Sequence, residues 1–406
     1  MGVLVQKFGG TSLATEQARQ LVIRHIERER NLGHRIVVVV SAMGRKGDLY
    51  ATDTLLQLIA DNGGALPPRE RDLLLGCGEI IAASVLCSLL NAVGIPAVAL
   101  TGGGAGIRTG DRFGEARILE VRPEKILRHL DEGSIVIVTG FQGQTEAGDM
   151  TTLGRGGSDT SATALGAALH ADMVDIYTDV NGILTADPRI VKDARPLTVV
   201  GYAEICNMAQ QGAKVIHPRA VEIAAQARIP LRVRSTFSEE EGTLVTDTVV
   251  LAHGDRSRLR DRHVTGIAHV HGVTQITVET IEGQSDTQLQ VFQSMARNHI
   301  SVDFINVTPG GAVYTVSDQD AAKAVGILQG LGFSPKTVNG CAKVSVIGGG
   351  MNGVPGIMAR IVEALTEGDI PILQSADSNT TIWVLVREEH MADALRALHA
   401  KFELHL

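Results

Sequence analysis

Residues Thr151–Ala164 read TTLGRGGSDTSATA, a glycine-punctuated turn that opens into a stretch with helical spacing. Glycines let several backbone N–H groups converge on one oxyanion, and the start of the following helix adds unpaired donors and a partial positive charge. The hydroxyls around Ser158 and the guanidinium of Arg155 extend that cradle. A second run, VQKFGGTS at Val5–Ser12, repeats the grammar with Lys7 as its cation. Either loop alone could serve only tight strand-to-helix packing. Two such loops, each between a short apolar run and a helix-spaced one, favour phosphate chemistry on a layered α/β sheet.

Outward from these loops, through about residue 235, short β-branched runs alternate with helical stretches. RIVVVVSA (Arg35–Ala42), IVIVTGF (Ile135–Phe141) and DMVDIYTD (Asp172–Asp179) are continuously apolar, as expected of central strands buried on both faces. Glu16–Glu29 and Thr160–His170 carry apolar residues or alanines at helical intervals, which predicts helices covering the sheet. A chain of 406 residues exceeds the usual ceiling for one core, so more than one unit is expected. At 44% hydrophobic and 20% charged residues the composition is globular, and aromatics at 3% leave an aliphatic core with little for base stacking.

A formal charge of −8 argues against a nucleic-acid or membrane-surface binder. The arginines of Asp255–His263 are interrupted by Asp255 and Asp261 and read as a solvated linker. The four cysteines show no CxxC or paired-His spacing, so neither a zinc site nor a disulfide framework is expected, which fits a reducing cytoplasm. The N-terminus lacks a basic region and a cleavage site, and the apolar runs are judged too short to span a bilayer.

Beyond Leu251 the chain repeats itself. QITV (Gln275–Val278) corresponds to KVSV (Lys343–Val346), LQVFQSMARNHISV (Leu289–Val302) to ARIVEALTEGDIPI (Ala359–Ile372), and AVGILQGLGF (Ala324–Phe333) to ALRALHAKF (Ala394–Phe402). Each copy predicts strand, loop, helix, strand, strand, helix. Units this small bury little alone, so they should pack on each other or on a second chain. GGGMNG (Gly348–Gly353) satisfies GxGxxG and would suit a dehydrogenase. The matching ETIEGQSD of the first copy lacks those glycines, which favours a turn opening a helix.

Together KFGGTS, VSAMG (Val40–Gly44), LGRGGSDTSA and YTDVNGILTADPR (Tyr177–Arg189) resemble the aspartokinases across nearly the whole chain. The resemblance implies an αβα-layered amino-acid-kinase domain, 1–250, a linker, 251–272, and two α+β ferredoxin-like ACT modules, 273–338 and 339–406. It implies transfer of phosphate from ATP to the side-chain carboxylate of L-aspartate, with feedback through the ACT modules. SAMGRKGD, PPRERDLL and DSNTTIWVLV are most similar to the Bacillus-type diaminopimelate-sensitive members.

By the same resemblance Lys7 and Lys214 are the charge-stabilising lysines. Ser41, Thr52, Glu79, Arg155, Ser158 and Asp159 are expected to hold aspartate, with the Arg155 fork suited to its α-carboxylate and Asp159 and Glu79 to its ammonium. Glu79 alone could equally be a first-turn acid complementing a helix dipole. ATP is expected at Lys7, Gly9, Gly10, Ser12, Thr178, Asp179, Arg189 and Lys214. Mg2+ would be held mostly by phosphate oxygens and water rather than by a dedicated carboxylate cage. Gln284, Ser285, Asp286, Met351 and Asn352 are candidate effector contacts, with diaminopimelate, lysine and threonine as possible ligands, and a homodimer through the ACT modules is expected. Two positions depart from the common pattern. Gly47 stands where many members carry threonine, a role Thr52 could assume, and Leu184 replaces a tyrosine. A same-fold kinase for glutamate or acetylglutamate, and an inactive amino-acid sensor, are the alternatives.

Overall fold

A computed structural model describes residues 2–61, 63, 66–213, 215–247, 263–280, 286–351 and 353–406. Lys214, Gln284, Ser285, Asn352 and the arginines of 256–262 lie outside the described residues. The chain divides into two compact units, one of residues 2–183, 196–210 and 215–247, the other of 184–195, 211–213 and 263–406.

The first unit starts with β1 (Val3–Phe8), the short helix α1 (Gly10–Leu13), α2 (Glu16–Asn31) and β2 (Arg35–Val40). Then come α3 (Thr52–Asp61), α4 (Pro68–Ala92), β3 (Ala97–Leu100), β4 (Ile107–Thr109), β5 (Ile118–Val121), α5 (Glu124–Asp131), β6 (Ile135–Thr139), β7 (Gln142–Gln144) and β8 (Met150–Thr152). It ends with α6 (Gly157–Ala168), β9 (Met173–Thr178), β10 (Val199–Gly201), α7 (Tyr202–Gln210), α8 (Pro218–Ala227), β11 (Leu231–Ser235) and β12 (Thr243–Thr246). Eight strands form one sheet in the order β10-β12-β11-β9-β1-β2-β6-β3, all pairs parallel except β11 with β12. β4, β5, β7 and β8 make a separate small sheet.

The apolar runs become the central strands, because only side chains unable to use water tolerate burial on both faces. Ile36, Val38 and Val40 pack with Val22 and Ile26 of α2 and Leu86 and Leu90 of α4. Helix α6 is buried from Gly157 through Gly166, and Gly166 is needed where it crosses β9, since a Cβ there would come within 2.5 Å of Val174 Cγ2. The parallel register pairs Phe8 with both Val40 and Tyr177, so the ends of β1, β2 and β9 finish level. Loops leaving the carboxyl ends of such strands are where open α/β sheets hold ligands.

Contrary to the expectation about apolar runs, α4 is long and apolar enough to cross a bilayer by length and composition. It is a core helix of this unit. Its buried Asp72 accepts from Gly114 N (2.9 Å), Thr152 N (2.7 Å) and Thr152 Oγ1 (2.9 Å).

The second unit contains β13 (Gly266–Glu279), helix Thr287–Arg297, β14 (Asp303–Thr308), β15 (Gly311–Ser317), helix Asp318–Gly330, β16 (Lys336–Ile347), helix Ile357–Glu367, β17 (Gln374–Asp377), β18 (Thr381–Arg387) and helix Met391–Lys401. The order β14-β15-β13-β16-β18-β17 is antiparallel throughout and nearly symmetric about β13 and β16. This is the expected pair of repeats. An antiparallel sheet is not a dinucleotide fold, so GGGMNG is not a dinucleotide fingerprint. Its Gly348 N donates to Thr380 O (3.0 Å), and a Cβ at Gly348 would lie 2.0 Å from His263 O.

The linker expected at 251–272 ends in structure. Gly266–His271 pair with Ala342–Ile347, while Val273–Glu279 pair with β15. One strand therefore serves both copies, with a register shift between His271 and Gln275.

Candidate active site

The glycine loop at Gly154–Gly157 folds as its composition requires. Gly154 and Gly156 both have left-handed φ, +76° and +70°, and Gly156 caps α6. A Cβ at Gly156 would lie 2.2 Å from the His217 ring. Gly10 is equally constrained, since a Cβ there would meet Gly44 O at 2.5 Å and Ala42 O at 2.6 Å. Close approach thus brings the loops after β1 and β2 together.

Between them, Lys7 Nζ lies 2.7 Å from Asp159 Oδ1, with each side chain 12% exposed. Asp159 occupies the first turn of α6, where unpaired N–H groups favour an anion. Its other oxygen lies 3.4 Å from His217 N. Ser158, the preceding residue on that turn, is buried against Gly140, where a Cβ would lie 2.8 Å from Ser158 Cβ. Arg155 is exposed on the loop itself.

Glu79 projects from α4 and accepts from Ala42 N at 3.1 Å, beside Ser41, whose own N–H donates to Phe8 O at 3.1 Å. Glu79 is 2% exposed, and its Oε2 has no hydrogen-bond partner among the described residues. Burial pushes its pKa from 4.5 up to about 8, outweighing the hydrogen bond from Ala42. A buried acid with an oxygen beyond the one that accepts from Ala42 N can receive a cationic group. That position is deep in the helix and not in its first turn, so a helix-dipole role does not describe it.

On the other side of β1, Gly9 N donates to Tyr177 O (3.3 Å), and Thr178 Oγ1 donates to Asp179 Oδ1 (3.1 Å). Asp179 is also ion-paired with Arg45, which the sequence reading missed although it directly follows VSAMG. Ser12 is fully buried, its Oγ 2.6 Å from Thr236 Oγ1, and braces the loop from below. Gly47 has φ +99° and its N–H donates to Thr54 Oγ1 (3.3 Å). A threonine at 47 would be strained in that turn. Thr52 starts α3.

YTDVNGILTADPR is divided between the units. Tyr177–Ile183 stay with the first, whereas Leu184–Arg195 pack in the second. There Arg189 is exposed and forks onto Asp187, with Nη2 at 2.7 Å and Nε at 3.0 Å. Asp286 accepts from Gln290 Nε2 (2.9 Å), and Met351 is buried in the aliphatic core of the second repeat. His217 and Gln142 were also missed. His217 accepts from Arg219 N as the cap of α8, and Gln142 Nε2 donates to Gly76 O at 2.6 Å beneath Glu79. Neither position carries a periodic signal.

The arrangement offers amide cradles, a lysine paired to an acid and a second buried acid, suited to a zwitterion beside a phosphate. The amino acid kinase family matches residues 2–235, and an ACT domain matches residues 336–400. The chain is 54% identical over 404 residues to Aspartokinase 1 of Bacillus subtilis (strain 168), covering 100% of both chains. The crystal structure of E. coli aspartokinase III in complex with aspartate and ADP (R-state) matches with TM-score 0.79 at 27% identity, over 98% of this chain and 99% of that one. The same E. coli protein in complex with lysine and aspartate (T-state) matches with TM-score 0.76 at 27% identity, again over 98% and 99%.

Proposed function

Because the chain belongs to the aspartokinases, within the amino acid kinase family, and is an aspartate kinase, we propose that its catalytic centre is the Lys7–Asp159 pair at the head of α6. The salt bridge of 2.7 Å between them is the observation that carries this reading. Asp159 neutralises Lys7. An incoming aspartate presents its ammonium to Asp159 and Glu79, which frees the Lys7 charge for the phosphates.

The remaining roles follow from charge and shape. Arg155 takes the α-carboxylate as a planar fork, with Ser41, Thr52 and Ser158 donating around it. The amides of Gly9 and Gly10 cradle phosphate, Ser12 fixes their loop, and Thr178, Asp179, Arg189 and Lys214 complete the nucleotide side. The side-chain carboxylate of aspartate attacks the γ-phosphorus in line. The new O–P bond forms as the bond to the ADP oxygen breaks, giving 4-phospho-L-aspartate and ADP. No general base is needed, because the nucleophile is already ionised. Mg2+ is carried mostly by phosphate oxygens and water.

The ACT repeats supply feedback. The product opens the route to diaminopimelate, lysine, threonine and methionine, one of whose amino-acid products is the effector. The lysine complex of the E. coli protein supports an amino acid in that role, and the Bacillus-type motifs favour diaminopimelate. The enzyme works in the cytoplasm as a homodimer joined through these repeats.

The test is ADP release from Mg-ATP with L-aspartate, with and without diaminopimelate, lysine or threonine. Aspartate-dependent turnover suppressed by one of them is expected. Lys7→Ala should lower kcat at least about a hundredfold with a smaller change in the KM for aspartate. Full turnover in that variant would remove Lys7 from the chemistry, and amino-acid binding without any turnover would leave a sensor.

A further inference from the structure

Strand β11 ends level with β9, Ser235 pairing with Thr178, and the next residue, Thr236, is buried. Each of its three polar atoms is engaged by a different segment of the first unit. Thr236 N donates to Thr178 O (2.9 Å), Thr236 Oγ1 lies 2.6 Å from Ser12 Oγ, and Thr236 O lies 3.0 Å from His25 Nε2. One residue thereby joins the end of β9, the short helix α1 that opens at Gly10, and α2.

His25 is 3% exposed on α2. A carbonyl oxygen can only accept, so Nε2 carries the ring proton and donates it to Thr236 O. Burial lowers the pKa of this ring, which favours its neutral form. The same ring lies against Tyr177, with centroids 4.8 Å apart, and Tyr177 stacks on Phe8 at 4.5 Å with 20° between the planes. Phe8 directly precedes Gly9, whose N–H donates to Tyr177 O (3.3 Å). The His25 ring packs in one aliphatic and aromatic cluster with Val22, Ile26, Phe8 and Tyr177. What an imidazole adds over an aliphatic residue in such surroundings is the donor for Thr236.

We propose that Thr236 is the positioning residue of the loop at Gly9 and Gly10, with His25 fixing its carbonyl, so that Ser12 and Thr178 are held at one spacing and the loop amides are presented to phosphate already aimed. The proposal rests on the reading of Gly9 and Gly10 as a phosphate cradle. Thr236 and His25 act through Ser12 and Thr178. An amide cradle is most effective when its donors are ordered beforehand, because less binding energy is then spent on ordering them. Loosening this one therefore falls on nucleotide affinity. Glu79 and Asp159, the acids assigned to the aspartate ammonium, are carried by α4 and α6 instead.

The experiment uses the full chain and measures KM for ATP, KM for aspartate, kcat and the melting temperature. Thr236→Val, which keeps the shape and removes the hydroxyl, should raise the KM for ATP about threefold to tenfold, with the KM for aspartate changed less than about twofold. Thr236→Ser should restore most of that loss. His25→Leu should act in the same direction, and His25→Gln, whose amide keeps a donor near the Nε2 position, should restore it. Adding Ser12→Ala to Thr236→Val should cost little more than the dearer single change, since both remove one bond, and additive losses would overturn the coupling. The cradle itself is tested separately by Gly9→Ala. Gly9 has φ −72° and ψ 169°, and a Cβ there would lie 3.6 Å from Tyr177 O and 3.7 Å from Lys7 Nζ, so the methyl is accommodated while crowding the cradle. That variant should raise the KM for ATP about tenfold. If Thr236→Val fails to fold, the two His25 variants decide. An effect at Gly9 with unchanged ATP affinity in the Thr236 and His25 variants overturns the positioning role and leaves the cradle standing. No effect at Gly9 removes the cradle and this proposal with it. Equal losses for both substrates alongside a lowered melting temperature mean general destabilisation, and also overturn it.

Discussion

Glu79 is buried behind the Ala42 N–H with a pKa raised from 4.5 to about 8 by loss of solvation. Below about 4.5 it is protonated folded and unfolded alike. Between 4.5 and about 8 only the folded state keeps the proton, so its contribution to stability declines as pH rises through that window. A substrate ammonium reverses the preference and favours the carboxylate. The KM for aspartate should therefore fall as the pH rises from about 6 towards 8, by up to about tenfold per unit. Glu79→Gln should flatten the profile, and an unchanged slope in that variant would exclude Glu79 as the ammonium contact. The residue types of this site were legible in sequence, because charges beside glycine loops have few purely structural uses. The Lys7–Asp159 pairing was not. It joins a strand end to a helix start more than a hundred residues away, and no local pattern encodes that distance.

Helix α4 shows what periodicity can and cannot convey. Its apolar composition passes for a membrane span, and its Asp72 looks like an ordinary charge near a helix start. Folded, Asp72 is fully buried and satisfies two backbone N–H groups and one hydroxyl around β8 and the loop at Gly114. Asp72→Ala would leave those donors without a partner and should cost about 2–4 kcal/mol, read as a lower urea midpoint with an unchanged m-value. A variant within about 0.5 kcal/mol of the parent would show that water replaces the carboxylate. RIVVVV was the easier element to read. Continuous β-branched residues admit a doubly buried strand and little else.

For the whole molecule, the consequential feature is the strand Gly266–Glu279, which completes both repeats. A fragment beginning at residue 263 should unfold cooperatively, whereas one beginning at Val273 loses the partner of Ala342–Ile347 and should melt lower or aggregate through the exposed edge. Equal melting of the two fragments would mean that the second repeat is complete without Gly266–His271. By itself the sequence determined the two glycine loops, the layered sheet and the doubled C-terminal unit, because each is written in local composition or in a repeat visible along the chain. Tertiary structure alone decided that Gly266–His271 belongs to the second repeat, that Leu184–Arg195 is built into the C-terminal unit, and that Lys7 and Asp159 share one charge pair. Those outcomes depend on which strand edges and buried polar groups find partners far away in the chain, and such partners are chosen by packing and desolvation rather than by neighbouring residues.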